Sequence, residues 1–215
     1  MIPTGNYFVT GTDTGIGKTY VACRWIEQQR TQGVQIAPMK PISAGCTQTS
    51  EGFRNDDAEQ LIAASGMSLP YERVNRYAFK PAIAPHIAAA EAGVSIEADS
   101  LVEDFQWLRQ RAQGVCVEGA GGWRVPLGGS LQTADIPKAL GIDVVLVVGI
   151  RLGCLNHALL TAEAIETDGC RLAGWIANFL DPSTERAEEN FDFLHERIPA
   201  PLLWSLKHEK IAGSG

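Results

Sequence analysis

Short, continuously apolar runs recur along this chain, each followed by a glycine-bearing turn and then by apolar residues at helical spacing. Tyr7, Phe8 and Val9 lead into the glycine-spotted stretch "VTGTDTGIGKTY", after which Val21, Ala22, Trp25 and Ile26 share one helical face. Residues 34–39 read as the next strand and 56–64 as a short helix. Leu101, Phe105, Leu108 and Ala112 fall at helical spacing before a strand at Val115, Cys116 and Val117. A strand at 144–148 precedes a helix over about 156–167, and Trp175, Ile176 and Ala177 precede a last helix with Ala187, Phe191 and Leu194 on one stripe. Strands alternating with helices need crossover connections, which join parallel strands. Runs that are apolar throughout, rather than alternating, imply burial on both faces. The pattern therefore predicts a doubly wound α/β fold, a mainly parallel sheet with helices on both faces. With no repeat, low-complexity tract or long linker, residues 1–215 read as a single domain.

Composition narrows the function classes. The formal net charge is −7 and no basic block appears, which argues against nucleic acid, whose phosphates call for clustered cations. Five cysteines lie far apart without a C-x-x-C pair, so neither a zinc knuckle nor a redox motif is spelled out. Their odd number, with no apolar leader at the N-terminus, points to the reducing cytoplasm. The longest strongly apolar run, 144–150, is much too short to span a bilayer, so no membrane partner is expected.

The opening glycine stretch carries the first chemistry. A phosphate-binding P-loop needs glycines so that backbone N–H groups can turn inward, a lysine for the outer phosphates and a hydroxyl for magnesium. Gly15, Ile16, Gly17, Lys18 and Thr19 supply these between a strand and a helix whose N-terminus adds partial positive charge. The spacing departs by one residue from G-x-x-x-x-G-K-T: Thr12 stands where the first glycine belongs, and Gly11 is one place earlier.

In a doubly wound sheet ligands gather at the carboxyl ends of strands, and there the other candidates lie. Lys40 follows the second strand and Pro41 stops a helical continuation, so two lysines, Lys18 and Lys40, face one edge. Such a pair suits a site that holds a phosphate together with another anion. Asp56 and Asp57 open a short helix, where Asp56 can cap, or one of the pair can instead reach magnesium. Glu118 ends the "VCVE" strand before Gly119, Ala120, Gly121 and Gly122, a placement suited to a magnesium ligand beside a close backbone approach. Gly153, Cys154, Leu155 and Asn156 begin a helix whose free N–H groups can take a carboxylate. Cys154 and His157 have no partner at catalytic or metal spacing, and His86 reads as capping or packing near a helix start.

The blocks "YFVTGTDTGIGKT", "KPISAG", "GFRNDDA", "APHIAAAE", "VEGAGGWRVPL", "VVGIRLGCLNHALLTAEAI", "AGWIAN" and "IPAPLL" occur in one order across most of the chain. In them the sequence resembles the dethiobiotin synthetase family of P-loop enzymes, which shares the extra residue in the glycine loop. The resemblance implies an ATP- and magnesium-dependent carboxylating ligase. An amine of 7,8-diaminononanoate takes up carbon dioxide as a carbamate, ATP phosphorylates it to a mixed anhydride, and the second amine closes the ureido ring of dethiobiotin. It assigns Lys18 to the β- and γ-phosphates and Lys40 to the carbamate. Thr19, Asp57 and Glu118 would hold magnesium, Thr14 and the 119–121 loop would lie by the reacting groups, and Asn178 would read the adenine. Residues 153–156 would hold the substrate carboxylate of a neighbouring subunit, making the protein a homodimer.

Against the family pattern, Gly15 replaces a usual glutamate, Ala44 replaces a serine, and Asn190 stands where a tyrosine is expected. Ser43 is the substitute substrate contact, although a one-residue shift on extended chain turns a side chain to the other face. After "PAPLL" the family's proline-bearing adenine loop is missing, and Gly213, Ser214 and Gly215 look like a cloning scar. Two other readings compete. A partitioning-type switch ATPase would carry a lysine early in the loop, where Thr12 and Asp13 stand, and residues 184–197 are acidic rather than a basic membrane helix. A degenerate paralogue would bind nucleotide or diamine with little turnover.

Overall fold

Residues 2–207 are described in the computed structural model. The expectations for residues 208–215, the missing adenine loop and the glycine-serine ending, lie outside the described residues. Six strands form the central sheet: β1 (Asn6–Gly11), β2 (Ile36–Met39), β3 (Gly114–Glu118), β4 (Asp143–Ile150), β5 (Leu172–Phe179) and β6 (Leu202–Leu206). Their spatial order is β6-β5-β4-β1-β3-β2, and every neighbouring pair is parallel. From β1 the chain moves out to the edge at β2, returns to β3, then crosses to β4 on the other side of β1. The winding reverses at β1, so the crevice that receives ligands opens above its carboxyl end.

The longer helices are α1 (Lys18–Thr31), α2 (Asp56–Ser65), α3 (Ala98–Arg109), α4 (Cys154–Thr167) and α5 (Ala187–Arg197). Alternate strand residues serve opposite faces. Phe8, Val117 and Leu146 pack with Phe105 and Leu108 of α3 and Ala158 of α4. Val9, Cys116 and Val147 pack with Val21, Trp25 and Ile26 of α1 and Leu61 of α2. Both faces are covered, as the uninterrupted apolar strands require.

One strand start and one edge strand depart from the sequence reading. Val34 belongs to the turn that closes α1: its N–H donates to Gln29 O at 3.0 Å, Gly33 N–H donates to Arg30 O, and Gly33 has φ +77°. That Schellman closure uses Val34 before the strand can begin, at Ile36. The edge strand β6 was not foreseen, because five partly exposed residues after Pro199 and Pro201 show no period of their own. Between β2 and β3 the chain makes an excursion in which Ile42–Ala44 pairs with Tyr77–Phe79. This excursion forms one wall of the crevice.

Candidate functional site

The glycine loop is shaped by contacts that only glycine permits. Gly17 has φ +85°, and a Cβ there would lie 2.3 Å from Asn178 Nδ2. Asn178 approaches this closely because its Nδ2 donates to Ile16 O at 2.9 Å, tying the end of β5 to the loop. Gly15, at φ +73°, has open space around its missing side chain. Lys18 is buried, with Nζ donating to Asp13 O at 2.8 Å. Burial and the nearby Lys40 charge pull its pKa down to about 8.

The strand ends bring Lys18, Thr19, Lys40, Asp57 and Glu118 together. Lys40 Nζ lies 2.6 Å from Glu118 Oε1 and 3.4 Å from Asp57 Oδ2, and Thr19 Oγ1 donates to the same Glu118 Oε1 at 2.9 Å. Burial opposes the Lys40 charge, but the two carboxylates outweigh it and hold its pKa above the ordinary lysine value. Glu118 is 1% exposed, and its Oε2 is buried without a hydrogen-bond partner. An orphaned buried carboxylate oxygen is costly, so the site has an unmet demand for a cation or donor. The donor set of Thr19, Asp57 and Glu118 is all oxygen. That fits magnesium, which takes one or two carboxylates and completes its shell with phosphate and water oxygens.

Asn55 rather than Asp56 caps α2, accepting from Ala58 N at 3.2 Å, which leaves Asp57 free to turn toward Lys40. The capping role considered for Asp56 therefore passes to the residue before it. An Asn directly ahead of an acidic first turn is the signal for that cap.

A cavity of about 500 Å³ opens beside this cluster. Lys40, Asp57, Asn55 and Thr14 line its polar end, with Ala120 and Gly121 of the glycine turn after β3, while Ile42, Ala44, Ile83 and Pro85 contribute to an apolar wall. Gly119 must be glycine because a Cβ would meet Phe8 Cζ at 2.7 Å, which lets the turn lie flat on β1. Ser43 also borders the cavity, but its hydroxyl is committed to Asn75 Oδ1 at 2.8 Å and lies 3.2 Å from Cys46 Sγ. A second cavity, about 650 Å³, lies across the glycine loop between Asn178, Leu180, Tyr20, Arg24 and Trp204. Sequence reasoning missed Trp204, which enters only because β6 exists.

Residues 153–156 behave differently. Gly153, at φ +89°, starts α4, and Arg151 binds Asp13 at 2.6 Å, pinning the turn to the lip of the glycine loop. Of the described residues that line the Lys40 cavity, none comes from 153–156. Leu152 beside them is 95% exposed. All five cysteines are free. No helix among the described residues is long and apolar enough to cross a membrane.

Comparison with known proteins adds a family to this geometry. Residues 5–212 match the family described as an AAA domain. The chain is 54% identical over 198 residues to the ATP-dependent dethiobiotin synthetase BioD of Pseudomonas paraeruginosa, covering 92% of this chain and 87% of that one. It is 49% identical over 202 residues to the enzyme of the same name from Xylella fastidiosa, covering 94% and 89%. Among solved structures, a ParA family ATPase from Chlorobium tepidum superposes with TM-score 0.56 at 12% identity, over 95% of this chain and 85% of that one. The MinC:MinD complex of Aquifex aeolicus gives 0.57 at 11%, over 96% and 82%. At such identities these two speak to the fold alone.

Proposed function

The chain belongs to the ATP-dependent dethiobiotin synthetases, and from that premise we propose how its strand-end site closes the ureido ring. It is a ligase that uses ATP to turn 7,8-diaminononanoate and carbon dioxide into dethiobiotin, ADP and phosphate. The observation that carries the mechanism is the convergence of Lys40, Glu118, Asp57 and Thr19, with the Lys18 charge nearby, beside a half-apolar cavity that Lys40 and Asp57 line.

The diamine's aliphatic chain lies along the wall of Ile42, Ala44 and Ile83, with its amines at the polar end. One amine adds to carbon dioxide and loses a proton, giving a carbamate whose negative charge meets the Lys40 ammonium. A carbamate oxygen then attacks the γ-phosphorus of ATP and expels ADP. Both reactants are anions, so fixed cations must offset their repulsion as they approach. Lys18, drawn down into the glycine loop, faces the outer phosphates, and the N–H groups of residues 15–19 cradle them. Thr19, Asp57 and Glu118 would hold magnesium, which would supply further neutralisation at the phosphates. The second amine attacks the carbonyl carbon of the mixed anhydride, phosphate leaves, and the five-membered ring closes. The glycine turn at 119–121 and Thr14 border this end of the cavity.

The 650 Å³ cavity takes the adenine, with Asn178 at its inner end. The N-terminus of α4 serves the neighbouring subunit, where residues 153–156 receive the substrate's distal carboxylate. That reading fits their absence from the lining of the Lys40 cavity of their own chain, and it makes the enzyme a homodimer with two shared sites.

The deciding experiment measures phosphate release from ATP and magnesium in bicarbonate buffer, with and without the diamine, and follows the ureido product by mass spectrometry. Release that depends on the diamine, with product formed, is expected. Release without diamine favours a switch ATPase, and tight ATP binding with no release favours a silent paralogue.

A further inference from the structure

Asn75 touches neither cavity, yet its side chain holds the ground on which Lys40 stands. At the end of β2 the sheet ladder stops with Met39 opposite Val117, so the Lys40 backbone has no strand neighbour. The segment around Asn75 replaces one. Lys40 N–H donates to Val74 O at 2.8 Å, and Asn75 Nδ2 donates to Lys40 O. Asn75 is 2% exposed, and its Oδ1 accepts from two hydroxyls, Ser43 Oγ at 2.8 Å and Tyr71 Oη at 2.9 Å. These partners set the sense of the amide. A flip would put its carbonyl against that of Lys40 and its NH₂ where two donors already point.

The network then returns to the lysine from the other side. Tyr71 Oη accepts from Asn55 N at 2.7 Å, Asn55 caps α2, and α2 carries Asp57, whose Oδ2 lies 3.4 Å from Lys40 Nζ. The ring runs from the Lys40 carbonyl through Asn75, Tyr71 and Asn55 to Asp57 and back to the Lys40 ammonium. Beneath it, buried Asp104 binds both Arg73 and Arg76 and clamps the segment bearing Asn75 to α3. A buried polar network with each member paired is rigid, and a leucine of similar volume would fill the space without orienting anything.

We infer that Asn75 is a positioning residue for this reaction, fixing the Lys40 backbone directly and Asp57 through Tyr71, so that the ammonium and the carboxylate keep one separation. The inference rests on the reading of Lys40 as the group that meets the carbamate. Supporting partners of this kind change activity by about 10–100-fold, since a displacement of about 1 Å in a reacting group has effects of that order.

The test uses the full-length enzyme with Asn75→Ala, Asn75→Asp, Tyr71→Phe and, as control, Lys40→Ala. Asn75→Asp is the sharpest, because it keeps both hydroxyl bonds and the shape but faces a carboxylate to the Lys40 carbonyl. Turnover, ATP affinity by calorimetry, bicarbonate-dependent diamine affinity and melting temperature are measured together. In folded Asn75 variants kcat falls about 10–100-fold and the bicarbonate-dependent gain in diamine affinity is lost, while ATP affinity stays within about twofold. Parent-like kcat in a folded Asn75→Asp enzyme overturns the proposal, as does loss of ATP affinity in step with kcat, which marks general damage. Should neither Asn75 variant fold, Tyr71→Phe decides: a drop of about tenfold in kcat supports the ring, and parent-like turnover overturns it. An active Lys40→Ala enzyme instead refutes the role of Lys40 itself, so the two failures are distinguishable.

Discussion

Lys40 and Glu118 form a buried pair, 5% and 1% exposed, in which each charge depends on the other. Removing one partner of such a pair leaves an uncompensated charge in the interior. Lys40→Ala is therefore expected to abolish dethiobiotin formation and to lower stability by about 3–5 kcal/mol in urea unfolding, with ATP binding nearly intact. Adding Glu118→Gln should return part of that stability, because the orphaned charge goes with it, whereas two independent losses would simply add. Glu118→Gln alone should raise the magnesium concentration needed for half-maximal activity, and an unchanged magnesium titration would remove it from the metal site. The acidic surroundings leave a second mark on a residue the chemistry does not use. Burial, then Glu118, Glu27 and Asp57, push the Cys23 thiol up to about 12. At pH 8 its thiolate fraction is about 10⁻⁴, against about a quarter for a free thiol, so iodoacetamide should label Cys23 at least about a hundredfold more slowly. Peptide mass spectrometry over a time course reads this directly.

At the scale of elements, α2 shows how a cap becomes part of a site. Asn55 accepts from Ala58 N and fixes the first turn, and that turn sets where Asp57 lies relative to Lys40. Asn55→Ala should cost about 1 kcal/mol of stability through the lost cap, and it should also raise the magnesium requirement. A loss of stability with an unaltered magnesium titration would separate the cap from the metal. The helices and inner strands were legible because burial on two faces, or one, writes itself into the order of apolar residues: Val144 to Val148 read as a fully buried strand by their length and β-branching, and α1 shows its stripe. The placement of the glycine loop, Lys40 and Glu118 at strand ends was legible for the same reason, since the strands themselves could be placed, and Asp57 was legible in the first turn of α2. What stayed hidden has no local signature. The edge strand β6 depends on β5 for its ladder, and Trp204 reaches the second cavity only through it. Asn75 is a polar residue in an irregular stretch, and its meaning lies in contacts 32 and 35 residues away. Ser43 borders the cavity, yet its hydroxyl is taken by Asn75, a partner that nothing local to Ser43 announces.

The whole molecule presents a feature that this chain leaves uncovered. Leu152, 95% exposed, precedes the N-terminus of α4, and Leu160 on the same helix is 57% exposed. Arg151 fastens that turn to Asp13 of the glycine loop, so the segment bearing the exposed leucine is held beside that loop. A fully exposed leucine gains about 1.5–3 kcal/mol on burial, and twofold symmetry would bury it twice in one self-complementary interface. If α4 completes the partner's diamine site, dimerisation and diamine binding are linked, while the ATP site stays within one chain. Leu152→Asp places a charge where each subunit would bury a leucine. The expected outcome is a shift toward monomer in light scattering and a rise in the KM for diamine of about tenfold or more, with ATP affinity by calorimetry unchanged. A Leu152→Asp protein that stays dimeric with a parent-like KM would place the interface elsewhere. A monomer with parent-like KM would show that each chain holds the diamine alone, and residues 153–156 would then need another role.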